Sequence, residues 1–589
     1  RAHSLGWHPV LSVEPYVSSL RLLSLSIALG FGLAAPLRAD GLAGPYLAGR
    51  VASIETDYSA AAEYFTRALF SDPKNIGILE SAVVAQIGAG NFDKAITVAQ
   101  GLESLGAKSS VADLTVLASL ARQEQYKAAL AELDKGRSAG VLVDGLFRAW
   151  AQLGDGQMSD ATASFDKVAE QKALAPFALY HKALALASVG DFEGADKILS
   201  GEAAGPIRAT RRSVIAHAQI LSQLERNPAA VELIDKTFGA DTDDKLLAAM
   251  RADLAAGKTL PFTLIQSPRD GLAEVFYAVA AVLAADGAQN DGNTPVDALL
   301  FARTAAYLRP DFSEANLLVA GSLEQQGQHE LAIATYALID PASAEYITAE
   351  LGRADALAAE DKPDAAIEAL QQLAKNEPGQ VDVWAALGDM LRRNQRFVDA
   401  IGAYDRAVEL VKSPGKEHWV LFYARGISHE RQKEWPEAEA DFRKALELSP
   451  DQPQVLNYLG YSYLEKKINL DEAMAMIERA SKARPDDGAI TDSLGWALYQ
   501  QGHYDKAVPV MEKAIQLMPV DPVVNDHLGD VYWAVGRKRE AEFQWKRALS
   551  FKPDTEEEAA RIRRKLEVGL DEVLKEEGAA PLAVSNNDG

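Results

Sequence analysis

Few residues in this sequence have the types and spacing that catalysis requires. The stretch AGKT at residues 256–259 is similar to the end of a phosphate-binding loop, which would bind a nucleotide. Such a loop needs a further glycine five residues before Gly257, and Ala252 stands there. It also needs a preceding strand, whereas residues 246–254 are predicted to be helical. We therefore interpret the stretch as part of a helical element.

Metal sites and activated nucleophiles lack their usual residue patterns as well. The nine histidines are scattered, and His429-Glu430 has no second histidine at the spacing of a helical zinc site. The chain has no cysteine, which removes thiolate zinc sites, thiol nucleophiles and disulfides. No serine stands in a glycine-flanked hydrolase elbow. We predict no catalytic residue, no metal site and no cofactor, and we keep an enzyme as the alternative class.

The charge balance argues against two classes of partner. Lysine and arginine number 60 against 84 aspartates and glutamates, for a net charge of −24. A nucleic-acid-binding protein needs a basic surface to displace counterions from phosphates, and an anionic membrane surface repels an acidic protein. We expect protein or peptide partners that are neutral or basic, no nucleic-acid binding and no direct binding to anionic membranes.

The N-terminal residues have the pattern of an export signal. An apolar run over residues 22–35 follows Arg21, and a proline separates it from Ala39. This order is typical of a secretory signal peptide, and the run is shorter than the about 20 residues of a bilayer-spanning helix. We predict a leader over 1–39 with its signal over about 17–39, cleavage near Ala39 and a periplasmic protein. Two alternatives are an uncleaved signal that tethers the chain to the membrane and a buried N-terminal helix.

Prolines, leucine-glycine pairs and aromatic residues recur at a fixed interval in the C-terminal third. Pro450, Pro485, Pro519 and Pro553 stand 35, 34 and 34 residues apart. Apolar residues at spacings of three and four put one stripe on each of two helices per period. Small residues such as Gly388 are expected where the two helices cross. We predict well-formed helix pairs that begin near Val381, Trp419, Pro453, Gly488 and Pro522.

The same pattern continues upstream in weaker form. Ala61, Phe65 and Ala68 define a unit that begins near Leu42, and alanines at the equivalent position mark further units. The pattern predicts an all-α fold, an α-solenoid of about fourteen helix pairs. A charged amphipathic helix over residues 556–577 is predicted to cap the array.

The period is lost where prolines, glycines and a polar stretch interrupt the sequence between residues 241 and 295. The chain is therefore predicted to contain an N-terminal sub-solenoid over 40–240 and an irregular junction with a degenerate repeat over 241–295. A C-terminal sub-solenoid over 296–555 and the capping helix follow, and a disordered tail is predicted over 578–589.

The spacing of these residues resembles that of the tetratricopeptide repeat, a unit of 34 residues. Residues 457–570 are similar to a tetratricopeptide-repeat family of alphaproteobacteria. One unit carries the resemblance most clearly, through Trp384, Leu387, Gly388, Leu391, Ala400, Tyr404 and Ala407.

The resemblance implies a function in protein interaction. Members of this superfamily are scaffolds and chaperone-like adaptors, including periplasmic proteins that resemble outer-membrane assembly factors and protease adaptors. We expect a scaffold or adaptor in envelope biogenesis that binds polypeptide segments. The alternative is an architectural subunit of a polysaccharide-secretion or outer-membrane assembly machine.

The resemblance also implies a binding groove, because the first helix of each unit lines the concave surface of such a solenoid. Rings on a rigid surface suit peptide recognition, since they bury much area at little cost in entropy. The alternative is that Trp496 and Tyr499 pack between neighbouring units. The groove positions of the family correspond here to Tyr423, Asn457, Tyr461, Asp492, Trp496, Tyr499, Asp526, Asp530 and Trp533.

The charge of these groove positions predicts which segments bind. The family's clamp for terminal carboxylates needs lysine and asparagine at two of these positions. That pattern is absent here, because Asn457 is accompanied by Tyr461 and Asp492 by Trp496. The aspartates Asp492, Asp526 and Asp530 instead predict a preference for neutral or basic segments.

Overall fold

The computed structural model describes residues 41–202, 209–242, 244–290, 295–579 and 582. These residues form helices and connecting turns, with no β-strand among them. The predicted signal peptide and most of the predicted tail lie outside the described residues. Contacts between residues divide the chain into two compact units, with the boundary between Leu373 and Ala374.

Unit 1 contains the first nineteen α-helices, the last of which ends just beyond the boundary. They are α1 (Ala43–Ile54), α2 (Tyr58–Ser71), α3 (Ile76–Gly88), α4 (Phe92–Ser104), α5 (Ser110–Arg122), α6 (Tyr126–Asp134), α7 (Val141–Gly154), α8 (Met158–Ala169), α9 (Ala175–Ser188), α10 (Phe192–Leu199), α11 (Arg211–Gln223), α12 (Asn227–Phe238), α13 (Lys245–Ala255), α14 (Pro268–Asn290), α15 (Val296–Leu308), α16 (Ser313–Gln325), α17 (His329–Tyr336), α18 (Tyr346–Ala359) and α19 (Pro363–Asn376).

Unit 2 contains the remaining α-helices and a short 3-10 helix at Lys416–His418. They are α20 (Val381–Arg393), α21 (Phe397–Leu410), α22 (Trp419–Arg431), α23 (Trp435–Leu448), α24 (Pro453–Lys466), α25 (Leu470–Ala483), α26 (Gly488–Gln500), α27 (Tyr504–Leu517), α28 (Pro522–Ala534), α29 (Lys538–Ser550), α30 (Glu556–Val568) and α31 (Leu570–Glu576).

Consecutive helices pack as pairs, from α1 with α2 to α11 with α12, from α14 with α15 to α16 with α17, and from α20 with α21 to α28 with α29. The expected α-solenoid of helix pairs is therefore confirmed. Their crossings need small residues: a Cβ atom on Gly388 would lie 2.5 Å from the ring of Tyr404, and one on Gly529 would lie 2.4 Å from Nε1 of Trp545. Glycine at these positions lets the two helices approach closely.

The range 241–295, predicted to be an irregular junction with a degenerate repeat, contains two helices. Helices α13 and α14 occupy residues 245–255 and 268–290. Helix α14 is long and apolar enough to cross a membrane by length and composition, but its first half is buried in unit 1. The ring of Trp150 fills the space at Gly271, and Phe147 meets Phe276 with ring centroids 6.4 Å apart.

Helices α14 and α15 contact α3, α5, α7 and α9, which are first helices of their pairs. Phe92 stacks on Tyr307 of α15 at 4.0 Å, and the Tyr58 hydroxyl donates to Oε1 of Gln326 at 2.8 Å. The face that a solenoid offers to ligands is thus occupied in unit 1 by the same chain. Unit 1 continues to Leu373, beyond the boundary predicted near residue 296.

The predicted capping helix over 556–577 is two helices rather than one. Helix α30 ends at Val568 and α31 begins at Leu570. Gly569 lies between them with φ +85°, a conformation that favours glycine and ends a helix.

Candidate functional site

The nine predicted groove residues all lie on first helices of consecutive pairs in unit 2. Tyr423 lies on α22, and Asn457 and Tyr461 lie on α24. The other six lie on α26 and α28. The chain therefore places the predicted groove positions on the first helices of four successive pairs, as the resemblance implies.

Trp496 and Tyr499 are packed between units. Their rings stack with centroids 4.7 Å apart, and each side chain is only 8% exposed. The indole N–H of Trp496 donates to Oε1 of Glu465 on the preceding first helix at 3.1 Å. The alternative interpretation, in which these rings pack between neighbouring units, therefore describes them better than an open groove does.

A buried histidine continues this stack and was not singled out from the sequence. His527 lies on the other side of Trp496, with ring centroids 4.0 Å apart. Its Nδ1 lies 3.0 Å from Oδ2 of Asp492. Burial by itself would lower the pKa of His527, but the Asp492 carboxylate raises the pKa above its ordinary value. Asp492 thus joins α26 to α28, and it is not free to bind a basic partner.

The remaining acidic positions are bound by the C-terminal helices. Nζ of Lys565 lies 2.8 Å from Oδ2 of Asp526 and 2.6 Å from Oδ1 of Asp530. The indole N–H of Trp533 donates to Oδ2 of Asp571 at 2.9 Å. Helices α30 and α31 therefore cover the groove positions of α28. The expected preference for basic segments loses its basis, because cations of the same chain neutralise these carboxylates.

Three of the predicted residues, on α22 and α24, stay partly accessible: Tyr423, Asn457 and Tyr461 are half-buried. The ring of Tyr423 packs edge-on against Tyr458 at 5.9 Å, which holds it in place. Oδ1 of Asn457 has no hydrogen-bond partner. Burial, followed by the Glu465 carboxylate, raises the pKa of Tyr461, so its hydroxyl is a neutral donor at physiological pH.

Unit 1 contains a second concentration of polar groups. Nη2 of Arg212 lies 2.5 Å from Oε2 of Glu274, and the Tyr180 hydroxyl donates to Oε1 of Glu274 at 2.9 Å. Glu314 binds the same guanidinium. Burial alone would raise the pKa of Glu274, but Arg212 keeps it below its ordinary value. The cluster joins α9, α11, α14 and α16.

A cavity of about 480 Å³ lies beside this cluster. The apolar side chains of Phe177 and Val282 line it, and Arg212 and Glu274 stand at one end. Sequence reasoning missed the cluster because Glu274 and Glu314 are 62 and 102 residues from Arg212. The only signal in the sequence was the pair of consecutive arginines directly after Thr210, at the start of α11. No group of three or more metal-ligating side chains suited to a metal ion occurs in the described residues.

Comparison with known proteins identifies the repeat. A family model described as the tetratricopeptide repeat matches residues 351–416, and a second model of that description matches residues 419–452 and 492–519. Among curated proteins, the TPR repeat-containing protein PA4667 of Pseudomonas aeruginosa is 28% identical over 180 residues. The match covers 30% of this chain and 30% of that relative, so the chain matches less than a third of the relative's length.

Solved structures with similar folds include a chain of the APC/C hetero-tetramer Cut9-Hcn1. It is 14% identical with a TM-score of 0.37, over 90% of this chain and 97% of that one. A tetratricopeptide repeat protein from Parabacteroides merdae is 16% identical with a TM-score of 0.36, over 43% of this chain and 97% of that one. YrrB, a TPR protein with an unusual peptide-binding site, is 19% identical with a TM-score of 0.27, over 34% of this chain and 99% of that one.

The family-model matches include helix pairs in which the crossing glycines Gly388, Gly426 and Gly495 meet Tyr404, Phe442 and Met511. The resemblance of residues 457–570 to an alphaproteobacterial family stays a prediction. The chain contains tetratricopeptide repeats over residues 351–416, 419–452 and 492–519.

Proposed function

We propose that this protein is a scaffold that holds segments of other polypeptides on the first helices of unit 2. Tetratricopeptide repeats support protein–protein interaction in general, and helix-pair solenoids use their inner surface for it. In unit 1 that surface is filled by α14 and α15. In unit 2, α30 and α31 cover its last part, whereas the predicted groove residues of α22 and α24 stay partly accessible.

The observation that carries the proposal is the set of half-buried side chains on α22 and α24. Tyr423 and Tyr461 supply rings that neighbouring helices hold in place. The Asn457 side chain is half-buried beside them and supplies an amide that can form hydrogen bonds with a bound segment. Fixed aromatic anchors with a few polar groups are typical of interface centres.

The proposed segment is neutral rather than basic. Asp492, Asp526 and Asp530 are paired with His527 and Lys565, so the free carboxylates that would favour a basic segment are not at this surface. Affinity is expected to come from ring burial and from hydrogen bonds, and therefore to change little with salt.

The proposed compartment is the periplasm, in the service of envelope biogenesis. Support comes from the sequence of residues 17–39, which lie outside the described part of the chain. The intact mass of the protein isolated from cells tests this directly. A mature N-terminus near Asp40 is expected, and one upstream of Leu22 would contradict export by this signal.

Site-specific photocrosslinking tests the scaffold. A photoreactive residue at Tyr461 is expected to capture a partner in cells, whereas one at Lys482, exposed on the second helix α25, is not. Asn457→Ala should reduce capture at position 461 without lowering the melting temperature. Equal capture at both positions, or none at Tyr461, would favour the architectural alternative.

A further inference from the structure

The cavity beside Arg212 and Glu274 in unit 1 has the size and the lining of a small-molecule site. Its volume of about 480 Å³ falls within the range of about 300–1,000 Å³ that is typical of ligand pockets. Side chains of α9 and α14 line it, together with the first residues of α11. Ligand pockets are mostly apolar and contain a few polar groups that orient the ligand, and this cavity has both.

The spacing of residues on α14 creates the space. Glu274, Tyr277, Ala278, Ala281 and Val282 all line the cavity, and their spacings of three and four place them on one face of the helix. The two alanines carry only a methyl group, which leaves room in front of this face. Exposure rises along it, from 1% at Glu274 to 50% at Val282. The cavity therefore has a buried polar end and an apolar opening.

The charged groups at the buried end already have partners within the chain. Arg212 forms ion pairs with Glu274 and Glu314. Arg211, which also lines the cavity, forms an ion pair with Asp244. An ionic head group would bring a further charge without a partner into this end, and an unpaired charge away from water is costly. These contacts favour an uncharged ligand.

The hydroxyl group of Tyr277 is available to orient such a ligand. Tyr277 is half-buried, and its hydroxyl forms no hydrogen bond with another described residue. The ring is held in place by Phe312, with ring centroids 4.9 Å apart, and by the Arg212 guanidinium, 5.5 Å from the ring centroid. Burial raises the pKa of Tyr277 to about 12, so the hydroxyl stays protonated and can both donate and accept a hydrogen bond.

We propose that this cavity binds a small uncharged amphiphile, with a hydroxyl or carbonyl group at Tyr277 and an apolar part that extends to Val282. The apolar part lies against Phe177 and Ala281 and covers the exposed Val282 side chain, which is favourable because apolar surface leaves water. The site lies in unit 1 and is independent of the surface on α22 and α24.

Isothermal titration calorimetry of the full chain with three probes of equal chain length tests the class of ligand. The probes are 1-octanol, octanoate and octylammonium at pH 7, which differ only in the charge of the head group. One 1-octanol molecule is expected to bind per chain, and each ion is expected to bind at least tenfold more weakly. Absence of saturable 1-octanol binding overturns the proposal. An ion that binds as tightly as 1-octanol, or more tightly, also overturns it.

Three variants then test the location of the site. Ala281→Phe fills the cavity with a ring and is expected to weaken 1-octanol binding at least tenfold. Ala285→Phe, at an exposed position of the same helix outside the cavity, is the matched control and should bind like the parent. Tyr277→Phe keeps the ring but removes the hydroxyl, and is expected to weaken binding by about three- to tenfold.

Circular dichroism checks that each variant is folded. If Ala281→Phe binds 1-octanol as Ala285→Phe does, the ligand binds elsewhere and the proposal fails. If Tyr277→Phe binds as the parent does, the placement of the head group at Tyr277 is wrong.

Discussion

Nζ of Lys565 lies 2.6 Å from Oδ1 of Asp530, and the two side chains are 0% and 2% exposed. Asp526 supplies a second carboxylate to the same ammonium group. A charge taken out of water costs several kcal/mol unless it is paired. This buried group therefore ties α30 to α28 and closes the end of unit 2.

Removal of the Lys565 charge is expected to destabilise unit 2. Lys565→Met leaves two carboxylates without their cation and should lower the free energy of unfolding by about 3–5 kcal/mol. Urea unfolding followed by tryptophan fluorescence measures the change. Lys575→Met, at a side chain 76% exposed, is the control and should change stability by about 0.5 kcal/mol or less. If the two variants unfold at the same urea concentration, the ion group has no stabilising role.

Trp496 is expected to behave as a core residue. Its ring lies between Tyr499 and His527, so Trp496→Ala opens a cavity and should cost about 3 kcal/mol or more. Thermal melts should place it close to Tyr404→Ala, whose ring is buried inside its own unit. Phe543→Ala, at an exposed ring on α29, should melt like the parent. If Trp496→Ala has the same melting temperature as Phe543→Ala, the Trp496 ring is part of the binding surface instead of the core.

Replacement of a glycine by alanine should destabilise the protein where two helices cross and stabilise it where the glycine is exposed. Gly529→Ala places a Cβ atom 2.4 Å from Nε1 of Trp545 and 3.2 Å from the carbonyl oxygen of Ala541. Overpacking of this kind costs about 1–3 kcal/mol. Gly402 on α21 has no atom within 4 Å of the same position, so Gly402→Ala should stabilise by up to about 1 kcal/mol through helix propensity. Differential scanning calorimetry compares the two. Equal shifts of the melting temperature in the two variants would contradict a tight helix crossing at Gly529.

His181 should make the stability of unit 1 depend on pH. Burial lowers its pKa to about 4, although the nearby Glu274 carboxylate opposes the shift, and Nδ1 accepts the indole N–H of Trp150 at 3.2 Å. Because the folded pKa lies below the unfolded value, the unfolded chain binds the proton first as pH falls. Stability should therefore drop by about 1.5 kcal/mol between pH 6.5 and 5.

His181→Phe tests the origin of this slope. The variant loses the Trp150 hydrogen bond and is expected to be less stable at every pH, but its unfolding free energy should be flatter between pH 6.5 and 5. Urea titrations at matched pH values provide the comparison. An unchanged slope in the variant would assign the pH dependence to other groups.

The repeat period alone was enough to predict the helix pairs and their crossings. Gly388 and Tyr404 are 16 positions apart in the sequence, and both helices of a pair form within one period. Contacts between such close neighbours depend mainly on local spacing, so the pattern of small and aromatic residues specifies them. Tyr423, Asn457 and Tyr461, whose positions were taken from the family resemblance, lie on first helices.

Tertiary structure alone decided what covers those helices. The loss of period after residue 241 gave no indication that α14 would pack against Trp150, or that Lys565 would neutralise Asp526 and Asp530. Arg212 and Glu274 are 62 residues apart, and no periodicity links them. A residue that faces a groove and a residue that packs between two units are of the same types and stand at the same positions of the repeat. Both lie on the inner side of a first helix. Only the position of the next helix decides whether a ring such as Trp496 faces solvent or is buried.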